Sequence, residues 1–151
     1  MQLRPLLARF DAAASLLQSP LLFIVRLHWG YAFLQTGWGK LMNLDRTAGF
    51  FESLHIPMPR LNAIMAGSTE SIGGVLLMLG LFARPAAVPL AFTMLVAYAT
   101  ADREALLGIF STPDKFLAAD PFLFLLAAVL VLAFGPGRFS LDALLFRKSA
   151  T

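Results

Sequence analysis

There is no cysteine among the 151 residues, which excludes disulfides, iron–sulfur ligation and thiol redox chemistry by this chain alone. Histidine is scarce. His28 and His55 stand 27 positions apart and form no metal-ligand spacing. Charge is scarce as well: Asp, Glu, Lys and Arg make up 14% of the chain, against about 25% in a soluble domain. Apolar residues take their place. They reach 58% with a mean hydropathy of +0.74, where a soluble domain holds about 45–50%. The net charge of +3 comes from scattered basic residues, which suits the loops of a membrane protein and not a nucleic-acid surface. The length fits one domain, 1–151.

The hydropathy pattern predicts an all-α integral membrane four-helix bundle, with short interfacial helices at the N-terminus, in the first loop and at the C-terminus. Residues 3–18 put Leu3, Leu6, Leu7, Phe10, Ala14 and Leu17 at helical spacing, as an amphipathic helix on the membrane interface does. Asp11 and Arg26 interrupt what a secretory signal would keep apolar. Spans are expected at about 20–42, 61–82, 86–101 and 115–134, near the ~20 residues that cross ~30 Å of hydrocarbon. Ser19-Pro20 and Asp120-Pro121 read as cap-plus-proline helix starts. The apolar run Pro121–Phe134 reaches only ~21 Å, so its helix is expected to begin earlier, near Lys115. A tight turn at Ala83-Arg84-Pro85 places Pro89 in the first turn of the third span, where a missing N–H is tolerated. A surface helix is expected over 47–55, with Phe50, Phe51 and Leu54 turned to the membrane, and another over Ser140–Phe146.

Four spans put both termini on one side. That side holds six basic residues, Arg4, Arg9, Arg84, Arg138, Arg147 and Lys148. The other holds five, Lys40, Arg46, Arg60, Arg103 and Lys115. The positive-inside rule then predicts cytoplasmic termini.

The second span carries a carboxylate, Glu70, flanked by Gly67, Gly73 and Gly74. A charge at the bilayer centre costs about 2.5–3.5 kcal/mol on insertion scales, so it should face the bundle interior and find a partner. In the first span Arg26, Gly30, Phe33, Gly37 and Lys40 recur at spacings of 4, 3, 4 and 3, one helix face on which a neighbour comes close. Helical rise places Glu70 ~13 Å, Gln35 ~10 Å, Thr93 ~12 Å, Lys40 ~3 Å and Tyr98 ~4 Å below the outer boundary, with Arg26 at ~24 Å. A polar cluster of Glu70, Arg26, Gln35, Lys40, Thr93, Tyr98 and Asp102 is therefore expected in the outer half, opening to the outer loops. It either fixes helix register or lines a pocket for a quinone ring or lipid headgroup.

Three motifs in order and spacing carry a resemblance: Arg26-x-x-x-Gly30-x-x-Phe33-x-x-x-Gly37-x-x-Lys40-Leu41; Glu70-x-x-Gly73-Gly74 with Leu79-Gly80-Leu81-x-x-Arg84; and Gly135-Pro136-Gly137-Arg138-Phe139-Ser140-Leu141-Asp142. Over about residues 20–146 the chain resembles the DoxX family. The resemblance implies a four-helix bacterial inner-membrane protein. The family takes its name from a subunit of an archaeal thiosulfate:quinone oxidoreductase, some bacterial relatives are associated with redox defence complexes, and a distant eukaryotic relative acts in nicotinic receptor assembly. Many members carry a histidine near the outer end of the third span, where this chain reads Tyr98-Ala-Thr-Ala-Asp102-Arg103.

Two functions follow as expectations. One is a membrane subunit linked to quinone chemistry, with a redox partner protein supplying the electron carrier, because the chain has no haem-ligand pair, cysteine, phosphate loop or metal constellation of its own. The other is a lipid- or amphiphile-binding or assembly protein without catalysis. A transporter fits less well, since no paired broken helices are evident. Membrane lipids and further copies of the chain are the other expected partners.

Overall fold

A computed structural model describes residues 3–146; Arg147 and Lys148, counted above with the basic residues, lie outside them. Nine helices and no strand occur among the described residues: α1 (Leu3–Ser15), α2 (Gln18–Met42), α3 (Leu44–Ser53), α4 (Pro59–Leu79), α5 (Ala83–Thr100), α6 (Arg103–Leu107), α7 (Pro113–Ala118), α8 (Pro121–Phe134) and α9 (Leu141–Leu145). One run, Arg4–Met42, is long and apolar enough to cross a membrane by length and composition, and Pro121–Phe134 is a shorter apolar helix.

Glycine sets the central contact. A Cβ on Gly30 would come 2.8 Å from the Gly74 carbonyl, and one on Gly37 would come 2.5 Å from the Ser71 nitrogen. Small residues, glycine above all, let two backbones lie this close. The partners run in opposite order, so α2 and α4 are antiparallel. Next, α5 lies against α4 and α8, and α8 closes on α2. Phe33, Leu77, Ala87, Leu90, Met94, Ala128 and Val131 form the shared core. The rings of Trp29 and Phe33 meet Phe124 edge-on, at 5.0 and 4.8 Å between centroids.

Burial departs from that of a water-soluble protein at two charges and over a broad apolar surface. Leu21, Ile24, Ile72, Val88, Phe92, Leu95 and Leu123 are exposed, while Arg26 and Glu70 are buried. Charged groups in soluble domains are almost never fully buried unless paired.

Several helix ends differ from the sequence expectation. α2 begins at Gln18, not at Pro20, and its preceding residue makes no side-chain cap bond; the Ser19 hydroxyl instead accepts the Arg138 N–H at 3.2 Å. The fourth helix does not extend back to Lys115. Pro121 has no N–H to continue the ladder of α7, and Ala119 is extended with φ −68° and ψ 141°. The Asp120 side chain makes no cap bond. The turn after α4 lies at Gly80–Phe82, where Gly80 and Phe82 take φ of 65° and 46°. α5 therefore starts at Ala83, and Pro89 falls inside it and not in its first turn. The surface helix of the first loop spans Leu44–Ser53 and packs on α4.

Candidate functional site

The close glycine contacts bring the Lys40 ammonium 2.5 Å from Glu70 Oε2. The Glu70 side chain is 1% exposed and that of Lys40 is 27% exposed. An ammonium carries three donors, and one goes to Glu70. Lys40 makes no other side-chain hydrogen bond among the described residues, and its side chain stays partly accessible. Beside Glu70, the Ser71 hydroxyl is buried with no hydrogen-bond partner among the described residues, and it faces Gly37 across the α2–α4 contact.

The other buried charge, Arg26, belongs to a separate centre at the C-terminal end of α4, whereas Glu70 lies near the middle of that helix. Its guanidinium lies against Gly80, ten residues along α4 from Glu70 and therefore ~15 Å away along the helix. One terminal nitrogen donates to the Leu77 carbonyl at 3.4 Å, and the other donates to the Phe139 carbonyl. An Arg26–Glu70 salt bridge is not formed.

The segment that brings Phe139 there is held by Asp142. Its two carboxylate oxygens accept the N–H groups of Phe82 at 2.7 Å and Ala83 at 3.0 Å, and its own N–H donates to the Gly80 carbonyl at 2.9 Å. Asp142 thus caps α5 from across the fold. Arg84 donates to the Ala133 carbonyl at 3.1 Å, tying the same turn to the end of α8. Two open grooves of about 410 and 400 Å³ flank this joint, one lined by Phe82, Arg84 and Phe146 and the other by Ser19, Arg138 and Phe146.

Of the seven residues expected to cluster, direct bonding joins Glu70 and Lys40. Gln35 is exposed and donates to the Tyr31 hydroxyl at 3.1 Å. Thr93, half-buried, donates to the Pro89 carbonyl at 2.9 Å. Tyr98 is fully buried, donates to the Phe116 carbonyl at 2.7 Å, and stacks on the Phe116 ring at 4.6 Å. Asp102 is half-buried at the start of α6, without a side-chain cap bond. Among the described residues no group of three or more His, Cys, Asp or Glu is placed to hold a metal ion. Sequence reasoning missed the roles of Phe139 and Asp142. The only signal for them was their place in the Gly135–Asp142 motif, since a backbone carbonyl acceptor has no residue-type signature.

The DoxX family model matches residues 21–103, the stretch that contains both Lys40 and Glu70. An uncharacterized membrane protein of Mycobacterium tuberculosis, Rv3486, is 34% identical over 142 residues, covering 86% of this chain and 84% of that protein. The inner membrane protein YphA of Escherichia coli is 39% identical over 79 residues, 52% of this chain and 55% of its own. CatD of Bacillus subtilis, named as a candidate oxidoreductase, is 33% identical over 116 residues, 67% of this chain and 85% of its own. No solved structure matches the chain. With more than half of its length matched by the family model, and with Arg26 and Glu70 buried beneath an apolar surface, this chain belongs to the DoxX family of membrane proteins.

Proposed function

We propose that the chain is a multi-pass four-helix bundle of the bacterial inner membrane, with cytoplasmic termini, whose Lys40–Glu70 pair binds the ring of a quinone for a redox partner protein. α2, α4 and α5 are ~37, ~31 and ~27 Å long, enough for the hydrocarbon layer, and α8 at ~21 Å requires local thinning. The observation that carries the reading is the asymmetric burial of the pair. Glu70 is closed off while Lys40 is 27% exposed. A free ammonium N–H is a donor for a quinone carbonyl, and the adjacent carboxylate holds the ammonium in place for it. Thr93 and Tyr98 then belong to the α5 wall around the outer half of the bundle, Asp102 to the start of α6 beyond it, and none of the three bonds the ring. Electrons come from the partner, in keeping with the oxidoreductase name of the Bacillus relative.

The test is binding of a short-chain quinone to purified protein in lipid nanodiscs, compared with Glu70→Gln and Lys40→Met. Saturable binding by the native chain, lost in both variants while their helix content persists, is the expected result. A native chain that binds no quinone overturns the reading. A second reading, a lipid or small-amphiphile binder without catalysis, is favoured by the two grooves beside Arg84 and Arg138. Phospholipid retained there, and lost on replacing either arginine, would support it.

A further inference from the structure

The face of α2 turned away from α4 and α8 is built unlike a lipid-facing surface. Ile24, His28, Tyr31, Gln35, Trp38 and Met42 recur at alternating spacings of four and three, and all six are exposed. This is the spacing of a helix–helix seam. Its centre is polar: His28 lies ~15 Å from one end of α2 and Gln35 ~10 Å from the other, at the depth of acyl chains. A side-chain amide left against hydrocarbon lacks the partners that water or protein would supply. Gln35 gives one N–H to Tyr31, which leaves its second N–H and its carbonyl without a protein partner among the described residues.

Gly39 supplies an independent observation. A Cβ there would meet nothing within 4 Å, whereas one on Gly30 or Gly37 would strike α4. Glycine in a helix interior is less stable than alanine. At Gly39 nothing inside the chain compensates, yet the position borders the seam beside Gln35 and Trp38, where a small residue lets an outside helix approach.

We propose that this face of α2 is the interface of a homodimer, in which α2 packs against α2 of a second copy about a two-fold axis normal to the membrane. A second copy is the occupant because the stripe is self-complementary. His28, Tyr31 and Gln35 each offer both a donor and an acceptor, so each can pair with its own counterpart across the axis, as an isologous interface requires. The inference rests on α2 crossing the bilayer.

The chain's lack of cysteine makes the test direct. Ile24→Cys and Met42→Cys place a thiol on the seam, and Phe92→Cys places one on the exposed side of α5. Each protein is purified, reconstituted alone in phosphatidylcholine vesicles and oxidised. The two seam positions are expected to cross-link severalfold more than Phe92→Cys. Adding Gln35→Leu to Met42→Cys should lower the cross-linked fraction by about threefold or more. Equal yields at all three positions, or no response to Gln35→Leu, overturn the dimer. An alkaline carbonate wash of the vesicles separates the premise from the inference: release of the protein refutes the membrane span itself, whereas retention without seam cross-linking refutes only the interface.

Discussion

Lys40 Nζ lies 2.5 Å from Glu70 Oε2, across the α2–α4 contact, while the guanidinium of Arg26 turns to the Phe139 carbonyl at the far end of the same helix pair. Two cations on one face of α2, one buried and one partly exposed, thus do different work. Lys40 neutralises the carboxylate, and Arg26 fastens the segment after α8 to the body of the protein.

The ion pair predicts a strong non-additivity. Removing one partner of a buried pair strands the other and costs about 3–5 kcal/mol, whereas replacing both by apolar groups is often neutral. Lys40→Met is expected to lose stability on that scale, and Lys40→Met with Glu70→Leu to regain most of it. Denaturant unfolding in detergent micelles measures the cycle, and additive losses would mean that the pair is not coupled.

The glycines predict opposite responses within one helix. At Gly37 an added Cβ meets backbone atoms of α4 at 2.5–2.7 Å, so Gly37→Ala is expected to destabilise by about 1–3 kcal/mol through overpacking. Gly39→Ala meets open space within the chain and is expected to be neutral or to gain up to about 1 kcal/mol of monomer stability from helix propensity. Thermal unfolding of both variants under dissociating detergent conditions checks the contrast.

The joint around Asp142 predicts a local effect. Asp142→Ala removes the acceptor for the Phe82 and Ala83 N–H groups, which should cost about 0.5–2 kcal/mol, as loss of a helix cap does. Limited proteolysis is expected to cut the 135–146 segment faster in Asp142→Ala and in Arg26→Met. Quinone binding at Lys40–Glu70 should be unchanged in Asp142→Ala, because the two centres lie ~15 Å apart along α4.

Much of this architecture was legible because α-helical periodicity reports which face is buried. Gly30, Phe33 and Gly37 were placed on one stripe by spacing, and all three are buried. Helical rise put Arg26 about two turns deeper than Glu70, and their separation along α4 follows the same rise. What could not be read was the partner of each charge. Arg26 bonds to carbonyls, one of them from a residue 113 positions away, and any residue type offers a carbonyl. The start of α5 was hidden for a related reason: its cap comes from Asp142, 60 positions from Phe82, so local cap rules pointed a few residues too late. The break between α7 and α8 was present in the sequence at Pro121, but the shortness of the apolar run argued for a longer helix.

Tyr98 predicts a specific local loss. Its hydroxyl donates to the Phe116 carbonyl of α7 at 2.7 Å, so Tyr98→Phe is expected to cost about 0.5–1.5 kcal/mol. Hydrogen exchange should rise over Pro113–Ala118 while α2 and α4 stay protected. Unchanged exchange in α7 would show that the stacked rings hold it without the hydrogen bond.

The most direct measurement is photolabelling with an azidoquinone in native-lipid nanodiscs, followed by peptide mapping. Label on the α2 residues around Lys40 or the α4 residues around Glu70, displaced by unlabelled quinone and absent in Glu70→Gln, is the predicted result. Displaceable label confined to the 135–146 segment, or no displaceable label at all, would contradict a quinone site at the buried ion pair.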